Sequence, residues 1–120
     1  MTKKRKSSTS AAPRKDDQRW EIKPVSARAQ KQWEEVKSQE PDLLEKVRER
    51  LTTRPLDRGD NPRRTGPLKP PLDVKWIAGK QLPMWQHEMT AGGRVWYCAD
   101  RSSHFVWLVK IALSHPKETD

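Results

Sequence analysis

Residues 92–120 read GGRVWYCADRSSHFVWLVKIALSHPKETD, and the fold turns on how this stretch is read. The Gly92-Gly93 pair predicts a tight turn using the positive φ values that a two-residue hairpin needs. A strand follows from Arg94 to Ala99. Its alternation puts Arg94, Trp96 and Cys98 on one face and Val95 and Tyr97 on the other. Asp100-Arg101-Ser102-Ser103 predicts a polar turn. Phe105 to Leu113 is then almost continuously apolar, the pattern of a central strand covered on both faces. The chain continues into His115-Pro116-Lys117. An arginine and a histidine therefore fall at the ends of two neighbouring strands, an arrangement suited to handling phosphate groups.

Upstream, Met84 to Thr90 alternates, with Trp85, His87 and Met89 on one side and Gln86 and Glu88 on the other. Residues 54–73, RPLDRGDNPRRTGPLKPPLD, are rich in Pro, Gly, Arg and Asp and predict a long loop. A loop of that length within a small domain is usually functional or mobile. Its basic members are Arg54, Arg58, Arg63, Arg64 and Lys69. Before it, Pro41 suits the first position of a helix whose apolar stripe is Leu43, Leu44, Val47 and Leu51, ended by Arg54-Pro55. An earlier helix is capped by Ser26 and carries Ala29, Trp33 and Val36 at helical spacing. Trp20 to Val25 predicts a short first strand, and Pro24 assigns it to an edge or an early stop. The expected order is β-α-α-β-β-β, an α+β domain over residues 20–120 in which a small antiparallel sheet packs on a helical hairpin.

Residues 1–19 hold seven Lys/Arg and two Asp, with only Met1, Ala11 and Ala12 as apolar side chains. Such a segment cannot bury enough surface to offset the entropy of ordering, so it predicts a disordered basic tail. Across all 120 residues the net charge is +9, and only 32% of residues are apolar. Six tryptophans supplement a small core; Trp33, Trp76, Trp85, Trp96 and Trp107 are expected to pack inside it. The charge balance favours a polyanionic partner, nucleic acid first, or an acidic protein. The lone Cys98 cannot form an internal disulfide and fits a reducing cytoplasm. His87, Cys98, His104 and His115 show no metal-ligand spacing, so no metal or other cofactor is expected. The apolar run Phe105 to Val109 is too short to span a bilayer, and no membrane association is expected.

Three local features, in this order on this predicted topology, resemble the RelE/ParE superfamily of type II toxin-antitoxin systems. They are Thr65-Gly66-Pro67-Leu68-Lys69 ahead of a strand, Arg94-Val95-Trp96-Tyr97 at a strand start, and the ending Leu113-Ser114-His115-Pro116-Lys117. The resemblance covers residues 20–120 and implies one of two activities. RelE-like members are metal-independent, ribosome-dependent endoribonucleases (mRNA interferases) that block translation. ParE-like members bind DNA gyrase and cleave no RNA. Either kind implies a cognate antitoxin as partner.

Metal-free RNA cleavage needs a base for the 2′-hydroxyl, positive charge at the phosphorane and an acid for the leaving oxygen. Carried onto this chain, the resemblance makes Arg94 the phosphorane stabiliser, because a guanidinium offers a permanent charge and a fork for phosphate oxygens. His115 takes the acid/base position. Arg63, Arg64, Lys69 and Lys117 would hold the RNA backbone, and Trp96 would stack a base. This chain departs from the family at three places. Gly66 stands where one nuclease subgroup carries a glutamate. Gln86, His87 and Glu88 occupy the strand where another carries lysines. The tyrosine close after the C-terminal basic residue is missing. Glu88 or His87 is therefore the expected stand-in base. Structural alternatives stand beside each role: Arg94 as a solvated strand-end charge, His87 as a partly buried packing residue, and Glu88 as an ion-pair partner of Arg94 worth under about 1 kcal/mol if exposed.

Overall fold

Ser26 starts the first helix as its position in the sequence predicts: its Oγ accepts a hydrogen bond from the Ala29 amide at 3.1 Å and satisfies one of the free donors at the helix start. The computed structural model describes residues 19–59 and 63–113. Residues 1–18 of the expected basic tail, and the expected site residues His115 and Lys117, lie outside the described residues. Helix α1 spans Ala27–Gln39 and helix α2 spans Pro41–Thr53, with Pro41 at the N-terminus where its missing amide costs nothing. Glu40 alone joins them, its amide donating to Val36 O at 2.7 Å and its carbonyl accepting from Leu44 at 2.9 Å. So short a joint makes the helices neighbours, and Ala29, Val36, Leu44, Val47 and Leu51 are buried between them and the sheet.

Among the described residues the main sheet has five strands. β1 (Glu21–Pro24), β2 (Thr65–Pro67), β5 (Trp85–Glu88), β6 (Arg94–Asp100) and β7 (Phe105–Ala112) lie in the order β1-β7-β6-β5-β2. Pro24 lies in an edge strand, where a missing amide is tolerated. A separate hairpin, β3 (Val74–Ile77) and β4 (Lys80–Pro83), packs on the face away from the helices.

Two expectations about the sheet need correcting. It is mostly antiparallel rather than wholly so, because β1 runs parallel to β7. The helical hairpin between β1 and the later strands is the crossover that such a pairing requires. The strand count is also larger than β-α-α-β-β-β. β2 lies inside the stretch expected to be loop, and β3–β4 occupies residues to which the sequence assigned no element. β2 is three residues long with only Thr65 buried, too short to show a period.

The turns differ too. Positive φ among the described residues falls on Gly59, Ala78, Gly79 and His104, not on Gly92-Gly93. Ala78 at 52° and Gly79 at 80° form the two-residue turn of the β3–β4 hairpin. Gly93 is required for a different reason. A Cβ there would meet Thr90 Oγ1 at 2.7 Å and the Leu113 carbonyl oxygen at 2.8 Å.

β7 is buried on both faces, as its apolar run predicts. Val106, Leu108 and Ile111 join the helix-side core, whereas Trp107 and Val109 pack with Ile77, Leu82, Met84 and Cys98 on the other. An unbroken strand could not achieve this, since residues of one face recur every second position. The pairing runs from Trp96–Lys110 directly to Tyr97–Leu108 and leaves Val109 as the extra residue of a bulge. Without that bulge Lys110 would take the place of Ile111 and put an ammonium into the core. Burial also pushes the Cys98 thiol up to about 11, which keeps it protonated and unreactive at neutral pH.

Two polar ties hold the periphery. Tyr97, fully buried, donates its hydroxyl to the Pro55 carbonyl at 2.5 Å and fixes the chain leaving α2 against the sheet. Lys80 Nζ reaches Asp100 Oδ2 at 3.0 Å and anchors the β3–β4 hairpin. Burial alone would raise the Asp100 carboxyl; hydrogen bonds from Ser102, Lys80 and Ser103 outweigh it and hold the group at about 2. Trp76 contradicts its expected place in the core: it is 69% exposed on β3. Gly93→Ala should therefore destabilise the domain by about 1–3 kcal/mol, because the added methyl must part the start of β6 from the end of β7. Thermal unfolding should show a Tm lower by several degrees; an unchanged Tm would show that the two chain ends can separate freely.

Candidate nucleic-acid interface

Arg94 opens β6, paired with Glu88 on β5 and Ala112 on β7. Directly opposed residues share a face, so Arg94, Glu88, Trp96 and Gln86 all lie on the side away from the helices. The sequence placed Arg94, Glu88 and Trp96 in one site, and the pairing brings them onto one surface. Glu88 and Arg94 nevertheless form no ion pair. Among the described residues the Arg94 guanidinium has no carboxylate partner, and its Nε is buried with no acceptor. Trp96 is oriented by a hydrogen bond from its Nε1 to Gln86 Oε1 at 2.8 Å, and Lys110 Nζ lies 5.4 Å from its ring centroid. Trp96, Val109 and Lys110, with Arg28 and Gln32 from α1, line a shallow depression of about 250 Å³.

The basic loop contributes unequally. Arg64 reaches across to β5, its Nη2 donating to the Glu88 carbonyl at 2.9 Å and the Met89 carbonyl at 3.2 Å. The Glu88 amide in turn donates to the Arg64 carbonyl at 2.7 Å. One end of the sheet thus gathers Arg64, Glu88 and Arg94. Arg63 and Lys69 are exposed on either side of β2.

His87 is separated from Arg94. It pairs with Val95 and Thr65, so its ring lies on the helix side while Arg94 lies on the other. Of the two stand-in bases read from sequence, only Glu88 therefore shares a surface with Arg94. Gly66 has an equally specific surrounding: a Cβ there would sit 3.0 Å from Arg58 Nη2 and 3.1 Å from its Nε. The space a side chain would fill at this position is taken by the Arg58 guanidinium.

On the helix side lies a cluster that the sequence reading did not assemble. Arg50 and Arg54 from the end of α2, Arg58 and Arg64 from the following loop, and Asp57, Thr65 and His87 line a cleft of about 440 Å³. Arg54 and Arg58 were legible as basic loop residues, but the sequence reading did not name Arg50. Its only signal is the four-residue spacing of Arg50, Arg54 and Arg58, which puts the first two on one helix face. The His87 ring is held by a 2.8 Å hydrogen bond between its Nδ1 and Thr65 Oγ1. Burial, then the charges of Arg50, Arg64 and Arg54, push its pKa down to about 4. His87 is thus a neutral imidazole at pH 7.

Among the described residues, no group of three or more His, Cys, Asp or Glu is placed to hold a metal ion, and no helix is long and apolar enough to cross a membrane. Comparison with protein-family models, with curated proteins and with solved structures returns no match.

The His87 surroundings set a pH dependence. Unfolded, this histidine takes a proton near its ordinary value of about 6.5; folded, it does so only near 4. Between those values the unfolded chain binds more protons, so stability falls as pH drops from 6.5 toward 4. Arg50, Arg64 and Arg54 oppose its protonation, and among the described residues Asp57 is the one carboxylate lining the cleft. Tm measured across this range should decline in the wild type and decline less in His87→Gln. Parallel curves for the two proteins would show that His87 is not the titrating group.

Proposed function

We propose that this chain is a RelE/ParE-type toxin acting on ribosome-bound mRNA in the cytoplasm and neutralised by an antitoxin that covers the site. The observation that carries this reading is the uncompensated Arg94 guanidinium, presented beside an oriented tryptophan on the face away from the helices. A permanent charge without a carboxylate partner is what a developing phosphorane requires, and it costs no reorganisation when the charge appears. In this scheme Glu88 takes the 2′-hydroxyl proton and Arg94 receives the charge that builds on the phosphorus-bound oxygens. His115 protonates the leaving oxygen, and Trp96 stacks a base. Arg63, Lys69 and Lys117 hold flanking phosphates, whereas Arg64 lines the cleft on the helix side. No metal or cofactor takes part.

A second reading has its own support. With His87 turned to the helix side and the space at Gly66 filled by Arg58, Glu88 is the only base left beside Arg94. A member so depleted fits a ParE-like role, in which the same basic surface binds gyrase or antitoxin without cleaving RNA.

Inducing the chain in a bacterial host separates the two. Under the nuclease reading, translation stops promptly, and primer extension maps new breaks in translated mRNA. Arg94→Ala lowers the cleavage rate by roughly 10²–10³ fold, the cost of removing one oxyanion-stabilising group, and His115→Ala relieves arrest at equal expression. Arrest with translation initially intact and DNA damage rising would transfer the assignment to the gyrase-binding reading. A folded, well-expressed chain that does neither would remove both.

A further inference from the structure

We propose that the arginine cleft formed by Arg50, Arg54, Arg58 and Arg64 is a second phosphate-binding site, separate from the Arg94 surface and on the opposite side of the sheet. It rests on geometry independent of the toxin reading. Two of the guanidiniums are fixed by neutral carbonyl oxygens, Arg50 by Asp57 and Arg64 by Glu88 and Met89 at 2.9 and 3.2 Å, and Arg58 Nε donates to the Thr65 carbonyl at 3.2 Å. A carbonyl positions a guanidinium without cancelling its charge. The one carboxylate in the lining, Asp57, spends Oδ1 on the Gly59 amide at 2.8 Å, closing its own turn. Among the described residues, four cations therefore line a cleft with one carboxylate.

The strain of that convergence is visible on two groups. Burial, with the neighbouring charges of Arg54 and Arg64, lowers the pKa of Arg50, and its Nε is buried without an acceptor. His87 is likewise kept unprotonated in the same lining. Burial is the larger cause of each shift; the neighbouring arginine charges add to it, and an anion in the cleft offsets that second part for both groups. The cleft volume of about 440 Å³ is many times the roughly 30 Å³ that one water occupies in the liquid. Guanidiniums held in place favour phosphate because their forked donors match its oxygens. His87 adds a switchable donor: once a phosphate dianion is present, protonating its free nitrogen becomes favourable rather than repelled.

The ligand chemistry is a phosphate group, supplied either by an RNA strand or by a small free phosphate compound. The test follows arginine Nε–H and His87 ring resonances of the full chain by NMR at low salt. The titrants are inorganic phosphate, a 5′-phosphorylated hexaribonucleotide and the same oligonucleotide with a 5′-hydroxyl. Phosphate is expected to shift the Arg50, Arg64 and His87 signals and to raise the His87 midpoint from about 4 toward its ordinary range. Arg54→Gln should weaken binding roughly tenfold, the loss of one charged contact. The Arg54 side chain makes no hydrogen bond or ion pair among the described residues, so this variant is expected to fold, and circular dichroism verifies it. In Arg94→Gln the Arg50, Arg64 and His87 signals should respond to phosphate as they do in the wild type.

Tighter binding of the phosphorylated oligonucleotide than of either other probe supports the site and assigns it to RNA. Equal binding of inorganic phosphate and the phosphorylated oligonucleotide supports the site and assigns it to a small phosphate compound. Unmoved cleft resonances, or phosphate affinity unchanged in both Arg54→Gln and Arg64→Gln, would overturn the proposal. So would loss of the cleft shifts in Arg94→Gln with those of Arg54→Gln unaffected. Arrest of growth depends on Arg94 and phosphate titration on the cleft, so either reading can fail alone.

Discussion

Everything else in this domain is arranged around β7, a strand that must be apolar on both sides. Among the described residues sixteen buried hydrophobics form the core, and they divide into two clusters on opposite sides of the sheet. The helices press on one side and the β3–β4 hairpin on the other. A strand in that position has no polar face to give up, yet β7 contains Lys110. The bulge at Val109 resolves the conflict by advancing the register one residue, so that Ile111 enters the helix-side core and Lys110 lies over Trp96. Packing and site geometry are thus coupled: the irregularity that protects the core also delivers a cation to the surface carrying Arg94.

Charge is handled by a second device. Arg19 and Arg48 pair with Glu49 and Glu45, but around the cleft Arg50 and Arg64 are fixed on backbone carbonyls instead. Hydrogen bonds of this kind satisfy donors without neutralising charge. Arg50 and Arg54 repel each other at i,i+4 spacing, but both sit at the C-terminal end of α2, where the helix dipole favours cations. The repulsion that remains appears on His87 and on Arg50 itself. A basic protein built for solubility alone would scatter its charges; here they converge at the β2–β5 end of the sheet, on both of its sides.

The small polar ties follow from the same economy of material. With little apolar surface available, loops are secured by single strong contacts, as with Tyr97 on the Pro55 carbonyl and Lys80 on Asp100. The first of these bears on the cleft, because the segment it holds carries Arg54, Asp57 and Arg58. The second leaves Trp76 exposed on an anchored hairpin.

Local chemistry was readable from the residues alone. Ser26 as a cap, Pro41 as a helix start, the apolar stripe of α2, Pro24 at an edge and the central position of β7 each depend on interactions within a few residues, so the sequence by itself determined them. The sharing of one face by Arg94, Trp96 and Glu88 was also legible, since strand alternation settles it once the hairpin is known. What depended on distant pairing was not. The parallel β1–β7 contact, the three-residue β2 and the bulge exist because other elements supply their partners, and no local pattern records that. Gly93 was recognised as special, but its reason is the approach of Leu113 rather than the sign of φ. The arginine cleft is the clearest case. Arg50, Arg54 and Arg58 lie well before Arg64 and His87 in the chain, and only the docking of the α2 end against the β2–β5 edge turns four arginines into one concentrated field around the ring.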